Sequence, residues 1–183
     1  MSARAGGPVH LALIVAAALS GVLSLPCAAP AAEVPYLTGR VVDDAGVLAT
    51  PAREAIEALL KAHEERTTNQ VVVLTVSSLE GETIEAFAEQ VFRKWALGQK
   101  GKDNGVLLVI ATGDRRMRIE VGYGLEGALT DSAAGSIIRN AIAPAFKAGD
   151  YPGGTEAGVR AILGTLEGDA AAIPADAPGD AGA

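Results

Sequence analysis

The sequence predicts an α/β fold, a three-layer α/β/α sandwich in which a small mixed sheet carries helices on both faces. Three observations predict it. Residues 70–76 (QVVVLTV) and 106–111 (VLLVIA) are apolar runs without alternation, the pattern of strands buried on both faces. Residues 116–121 alternate instead, with Met117, Ile119 and Val121 on one face. Segments with apolar residues at helical spacing lie before, between and after these strands.

The composition bounds the function. The chain has 183 residues, with 15 Lys+Arg against 22 Asp+Glu and a formal charge of −7. That length suits one ordinary domain. An acidic chain with no basic cluster lacks the means to neutralise phosphates, so nucleic acid is not an expected partner. Residues 1–10 carry Arg4 and His10 but no acid, and an apolar run extends from Leu11 to Leu25. Small residues, Cys27 to Ala32, follow Pro26. This reads as a signal peptide over 1–32, cleaved near Ala32, which sends the mature chain to the periplasm or outside the cell. The 15 residues of the run fall short of a membrane span, which needs about 20. Pro26 occupies the position before Cys27 where a lipoprotein site wants a small residue, so soluble export is expected. No later run is long enough to span, so no transmembrane anchor is expected in the mature chain.

Removal of 1–32 takes away Cys27 and His10, leaving no cysteine and one histidine, His63. The mature chain then has no disulfide framework and no thiol nucleophile. A zinc site built on several imidazoles is excluded, and a Ser-His-Asp triad would have to use His63.

The domain is expected over 33–168. Val41-Val42 is a short apolar opening. Thr50-Pro51 reads as a helix N-cap with proline in the first turn, and Ile56, Leu59, Leu60 and His63 give an amphipathic helix to about Arg66. His63 beside that stripe is expected to flank the core. After the strand at 70–76, Thr83 caps a second helix whose stripe is Ile84, Phe87, Ala88, Val91, Phe92 and Trp95. A polar loop, Gln99 to Gly105, leads into the second strand, and Thr112–Arg115 turns tightly into the third. Gly122–Gly127 is a glycine-rich loop. Thr130 then caps a helix opening on Asp131 that Pro144 is expected to end, and a last helix runs from about Thr155 to Leu166. Residues 169–183 hold Ala, Pro, Gly and Asp with one Ile, and are expected to be a disordered tail.

A strand–helix–strand crossover makes the first two of these strands parallel, and the tight turn makes the third antiparallel to the second. The loops at Asp103-Asn104-Gly105 and Gly122–Gly127 must then share one end of the sheet, together with Asn69, Gln70 and the helix start at Asp131. Oxygen ligands converge there: Asp103, Asn104, Glu126 and Asp131. Carboxylate and amide oxygens without His or Cys suit a hard cation such as Ca²⁺. Gly122-x-Gly124-x-x-Gly127 fits the dinucleotide pattern but follows a hairpin strand and does not open a helix directly, so that reading is rejected.

Residues 42–48 (VDDAGVL), 95–98 (WALG), 103–108 (DNGVLL), 118–127 (RIEVGYGLEG) and 129–131 (LTD) resemble the TPM domain family, over about Gly39 to Gly168. The family includes thylakoid-lumen proteins linked to photosystem II repair and many bacterial exported or membrane-anchored proteins. The resemblance implies the α/β/α sandwich. It also implies a divalent cation, Ca²⁺ or another, held among Asp43, Asp103, Asn104, Glu126 and Asp131, and a protein partner, with a role in envelope or membrane-protein maintenance. The alternative it implies is a metal-assisted acid phosphatase acting on phosphomonoesters.

Overall fold

A computed structural model describes residues 32–169 and 171–174. All of the expected signal peptide except Ala32 lies outside the described residues, as do 170 and 175–183 of the expected tail. Strands β1 (Val41–Asp43), β2 (Gln70–Val76), β3 (Gly105–Ala111) and β4 (Arg116–Val121) form one sheet in the order β1-β2-β3-β4. The first three are parallel and β4 is antiparallel to β3. Gln70 pairs with Gly105 and Val76 with Ala111, while Val106 pairs with Val121 and Ala111 with Arg116. The mixed sheet is therefore as expected, with one strand more. Val41-Val42, read as an apolar opening, belongs to an edge strand in which Val41 pairs with Val73. Three residues are too few to display a period of two.

Both faces of the sheet are covered. On one, Val71, Val73, Leu108, Ile110 and Ile119 pack against Ile56 and Leu60 of α1 (Thr50–Thr67). Ile137, Ile142, Val159 and Ile162 from the C-terminal helices complete that cluster. On the other face, Val72, Leu74, Leu107 and Val109 meet Ile84, Phe87, Ala88 and Val91 of α2 (Ile84–Lys94). Ala32 and Val34 join this second cluster. Covering both faces removes any reason for polar alternation, which explains the two continuous apolar runs.

The helix ends depart from expectation in four places. The α1 N-cap is Ala49, without a side-chain bond, so Thr50 lies inside the helix and Pro51 in its first turn. At the other end of α2, Trp95 is the C-cap and only half-buried. Its indole Nε1–H donates to the Pro35 carbonyl at 2.9 Å, and Lys94 Nζ donates to the Val34 carbonyl at 3.2 Å. Trp95 thus clamps the N-terminal segment rather than filling the core.

The third departure is at Pro144. Helix α3 (Asp131–Ile137), capped by Thr130 as expected, passes through a π-helical turn at Ile138–Ile142 into α4 (Ala143–Lys147). A proline ring clashes with the carbonyl four residues back in α geometry. The wider π turn just before Pro144 relieves that clash and carries the chain onward. Fourth, α5 (Tyr151–Leu166) starts four residues before the expected Thr155, capped by Asp150, whose Oδ1 accepts from Gly153 N–H at 2.8 Å. Gly153-Gly154 hid this start because glycine is a poor helix former. A β-carbon on Gly154 or Gly158 would come within 2.5 Å of Phe146 or Ile142, so close helix packing uses them. In the segment after α5, Ile173 packs on the first core cluster and Asn140 Nδ2 donates to the Pro174 carbonyl at 3.1 Å. Among the described residues no helix is long and apolar enough to cross a membrane.

Candidate functional site

The end of the sheet where β2 and β3 begin is built around Asn104. Its buried amide accepts from Gln99 N–H at 2.8 Å through Oδ1 and donates to the Thr68 carbonyl at 2.7 Å through Nδ2. The side chain thereby latches the 99–103 loop to the end of α1. Asn104 is structural before it is anything else, and its oxygen is already engaged.

Asp103 differs. Its backbone is left-handed at φ +48, its side chain is exposed, and its carbonyl accepts from Gly124 N–H at 3.1 Å. The glycine-rich loop explains itself here. A β-carbon on Gly122 would stand 2.2 Å from the Asp103 carbonyl oxygen, and one on Gly124 would stand 1.9 Å from that of Lys102. Only residues without a side chain let the two loops lie this close. The Tyr123–Leu125 segment is a 3₁₀ turn, after which come exposed Glu126 and, at the start of α3, exposed Asp131. No ion pair engages Asp103, Glu126 or Asp131 among the described residues. These acids share one end of the sheet as expected. Among the described residues, however, no three His, Cys, Asp or Glu side chains lie close enough together to cage a metal ion.

Asp43 stands apart from the other four candidates. It pairs in register with Thr75, toward the C-terminal end of the parallel strands, whereas Asp103 precedes the residue paired with Gln70. Five residues of strand at about 3.3 Å each separate the two positions by at least ~16 Å, too far to share an ion. The Asp43 carboxylate also accepts three hydrogen bonds. Oδ1 accepts from Val47 N–H at 3.1 Å and from the Thr75 hydroxyl, and Oδ2 from Leu48 N–H at 2.9 Å. Thr75 Oγ1 accepts in turn from Ala45 N–H at 3.2 Å. Asp43 therefore shapes the loop between β1 and α1.

His63 is fully buried, with Nδ1 2.9 Å from Glu167 Oε1. Its expected place beside the core is the observed one. The residues around the β3–β4 turn drew no functional reading from the sequence. They frame a cavity of about 450 Å³ lined by Arg115, Arg116, Lys147, Phe146 and Tyr151. The one sequence signal was the adjacent pair Arg115-Arg116; Lys147 and Tyr151 reach it only through the helix path past Pro144.

Comparison with known proteins places this fold. The TPM domain family profile matches residues 41–165, so the chain belongs to the TPM domain family. The N-terminal domain of a protein from P. gingivalis, solved by NMR, is similar at 34% identity and a TM-score of 0.69, covering 74% of this chain and 89% of that one. The N-terminal domain of the cg2496 protein from Corynebacterium glutamicum is 18% identical with a TM-score of 0.55, covering 80% of this chain and 90% of that chain. The BA42 protein from the psychrophilic bacterium Bizionia argentinensis is 23% identical with a TM-score of 0.56, covering 69% and 84%. These last two likenesses concern the fold alone. No curated protein matches the chain significantly.

Proposed function

We propose that this chain is an exported TPM domain that binds a divalent cation at the Asp103 end of its sheet and meets a protein partner there, in envelope or membrane-protein maintenance. The observation that carries the reading is Asp103. A carboxylate is held at φ +48, on a loop pinned by Gly122 and Gly124, exposed and without a cationic partner among the described residues. Glu126 and Asp131 add oxygen ligands at the same end, and hard oxygen donors suit Ca²⁺ or Mg²⁺. Because no three acids close into a cage, water supplies the remaining ligands, and affinity falls in the millimolar range of about 10⁻⁴–10⁻³ M that extracellular calcium modules show. Asn104 and Asp43 frame the loops rather than ligate.

The test is thermal unfolding of the mature protein in millimolar Ca²⁺, Mg²⁺ or Mn²⁺. An ion that binds the folded state raises the melting temperature by mass action, and chelator reverses it. Asp103→Asn, which keeps a residue suited to positive φ, removes the response; Glu54→Gln on exposed α1 keeps it. No shift with any of the ions overturns the cation reading. Ion-dependent hydrolysis of a phosphomonoester by the same preparation favours the metal-assisted phosphatase instead. Intact mass of the exported form, lacking about 32 residues, checks the signal peptide.

A further inference from the structure

We propose that the cavity beside the β3–β4 turn binds a small organic anion whose charged group is carried on a flat apolar body. The chain is acidic overall, at −7, so its general field disfavours anions. Yet this cavity is lined by Arg115, Arg116 and Lys147 and by no Asp or Glu. None of the three cations takes part in an ion pair among the described residues. Arg115 is held at φ +54, a conformation where glycine is the cheaper residue.

The walls supply the other half of the recognition. Phe146 and Tyr151 pack with ring centroids 4.8 Å apart at an interplanar angle of 50°, and Met117 contributes a polarizable side chain. Both aromatic residues are half-buried, so each keeps an exposed edge. A volume of about 450 Å³ is within the range of small-molecule pockets, roughly 300–1,000 Å³. Cations at the rim over apolar walls fit a carboxylate or phosphate on an aromatic or aliphatic frame, with the guanidinium groups reading the planar oxygens. The cavity lies at the C-terminal end of β3, opposite the Asp103 loops, so this site is independent of the proposed cation site.

The experiment is an NMR titration of the ¹⁵N-labelled mature protein with four probes: benzoate, phenylphosphonate, inorganic phosphate and benzyl alcohol. Benzoate and phenylphosphonate distinguish carboxylate from phosphoryl recognition. The expected result is saturable shifts for at least one of these two, confined to amides of 110–117 and 143–151, with benzyl alcohol silent and inorganic phosphate weaker. Arg115→Gly preserves or raises stability, because glycine suits φ +54, yet weakens that probe's binding by about tenfold through loss of a charge-assisted contact. Arg93→Gln, on α2, binds like the wild type. Absence of saturable shifts, shifts scattered over other basic residues, equal binding of inorganic phosphate and the aromatic anions, or unchanged affinity in Arg115→Gly would each overturn the proposal.

Discussion

Nδ1 of His63 and Oε1 of Glu167 lie 2.9 Å apart, tying the last turns of α1 to the residue that follows α5. Arg66 Nη2 reaches the same oxygen at 2.6 Å. A carboxylate only accepts, so His63 donates to it through Nδ1. Nε2 is buried without a hydrogen-bond partner among the described residues.

These two contacts, His63 first and Arg66 second, hold the Glu167 carboxyl below the ordinary glutamate range. A depressed folded-state value means that the contribution to stability is present above the unfolded value and is lost as pH falls through the folded one. Glu167 is 42% exposed, so solvent screening keeps that contribution under about 1 kcal/mol. We expect Glu167→Gln to unfold at lower urea than the wild type at neutral pH, with the difference shrinking below roughly pH 4. Glu167→Ala, which strips the acceptor from a buried ring N–H, costs about 1–2 kcal/mol more. Equal effects of the two variants at all pH values would show that the bond to His63 contributes nothing.

Asp43 gives a second prediction. Its carboxylate receives two backbone N–H groups of the loop that feeds α1 and the hydroxyl of Thr75 on β2. Asp43→Ala leaves these donors unpaired and is expected to cost about 2–4 kcal/mol in chemical unfolding. Its response to divalent cations is expected to match the wild type, since it stands at the other end of the sheet. A variant that retained full stability but lost the cation response would return Asp43 to the ligand set.

Trp95 gives a third. Its ring is half-buried and its Nε1–H holds the Pro35 carbonyl. Trp95→Phe keeps most of the packing and loses one hydrogen bond, about 1 kcal/mol. Trp95→Ala is expected to cost about 2–3 kcal/mol, below the ~3–5 kcal/mol of a fully buried aromatic. Amide exchange should rise in residues 33–38 before it rises in α2. Exchange confined to α2 would show that Trp95 is a core residue and not a clamp.

The sequence by itself determined the layers. Continuous apolar runs at 70–76 and 106–111 identify strands covered twice, and the stripe from Ile84 to Val91 identifies one of the covers. The tight turn at 112–115 sets the one antiparallel pairing, and that fact alone brings Asp103, Glu126 and Asp131 to a common end. Periodicity and turn length are local quantities, so they survive in the linear chain.

Only the tertiary structure decided the rest. Val41–Asp43 becomes a strand because β2 offers it a free edge, not because three residues prefer one. The chain continues past Pro144 because a π turn is stabilised by packing on α5, and only then do Phe146 and Lys147 come to face Arg115 across a cavity. Asp43 and Asp103 look alike as loop acids in sequence. The first accepts hydrogen bonds from its own loop and a neighbouring strand, while the second is left exposed on a glycine-pinned turn. Whether a carboxylate anchors a loop or stays exposed depends on which donors surround it, and those are chosen by residues distant in the chain.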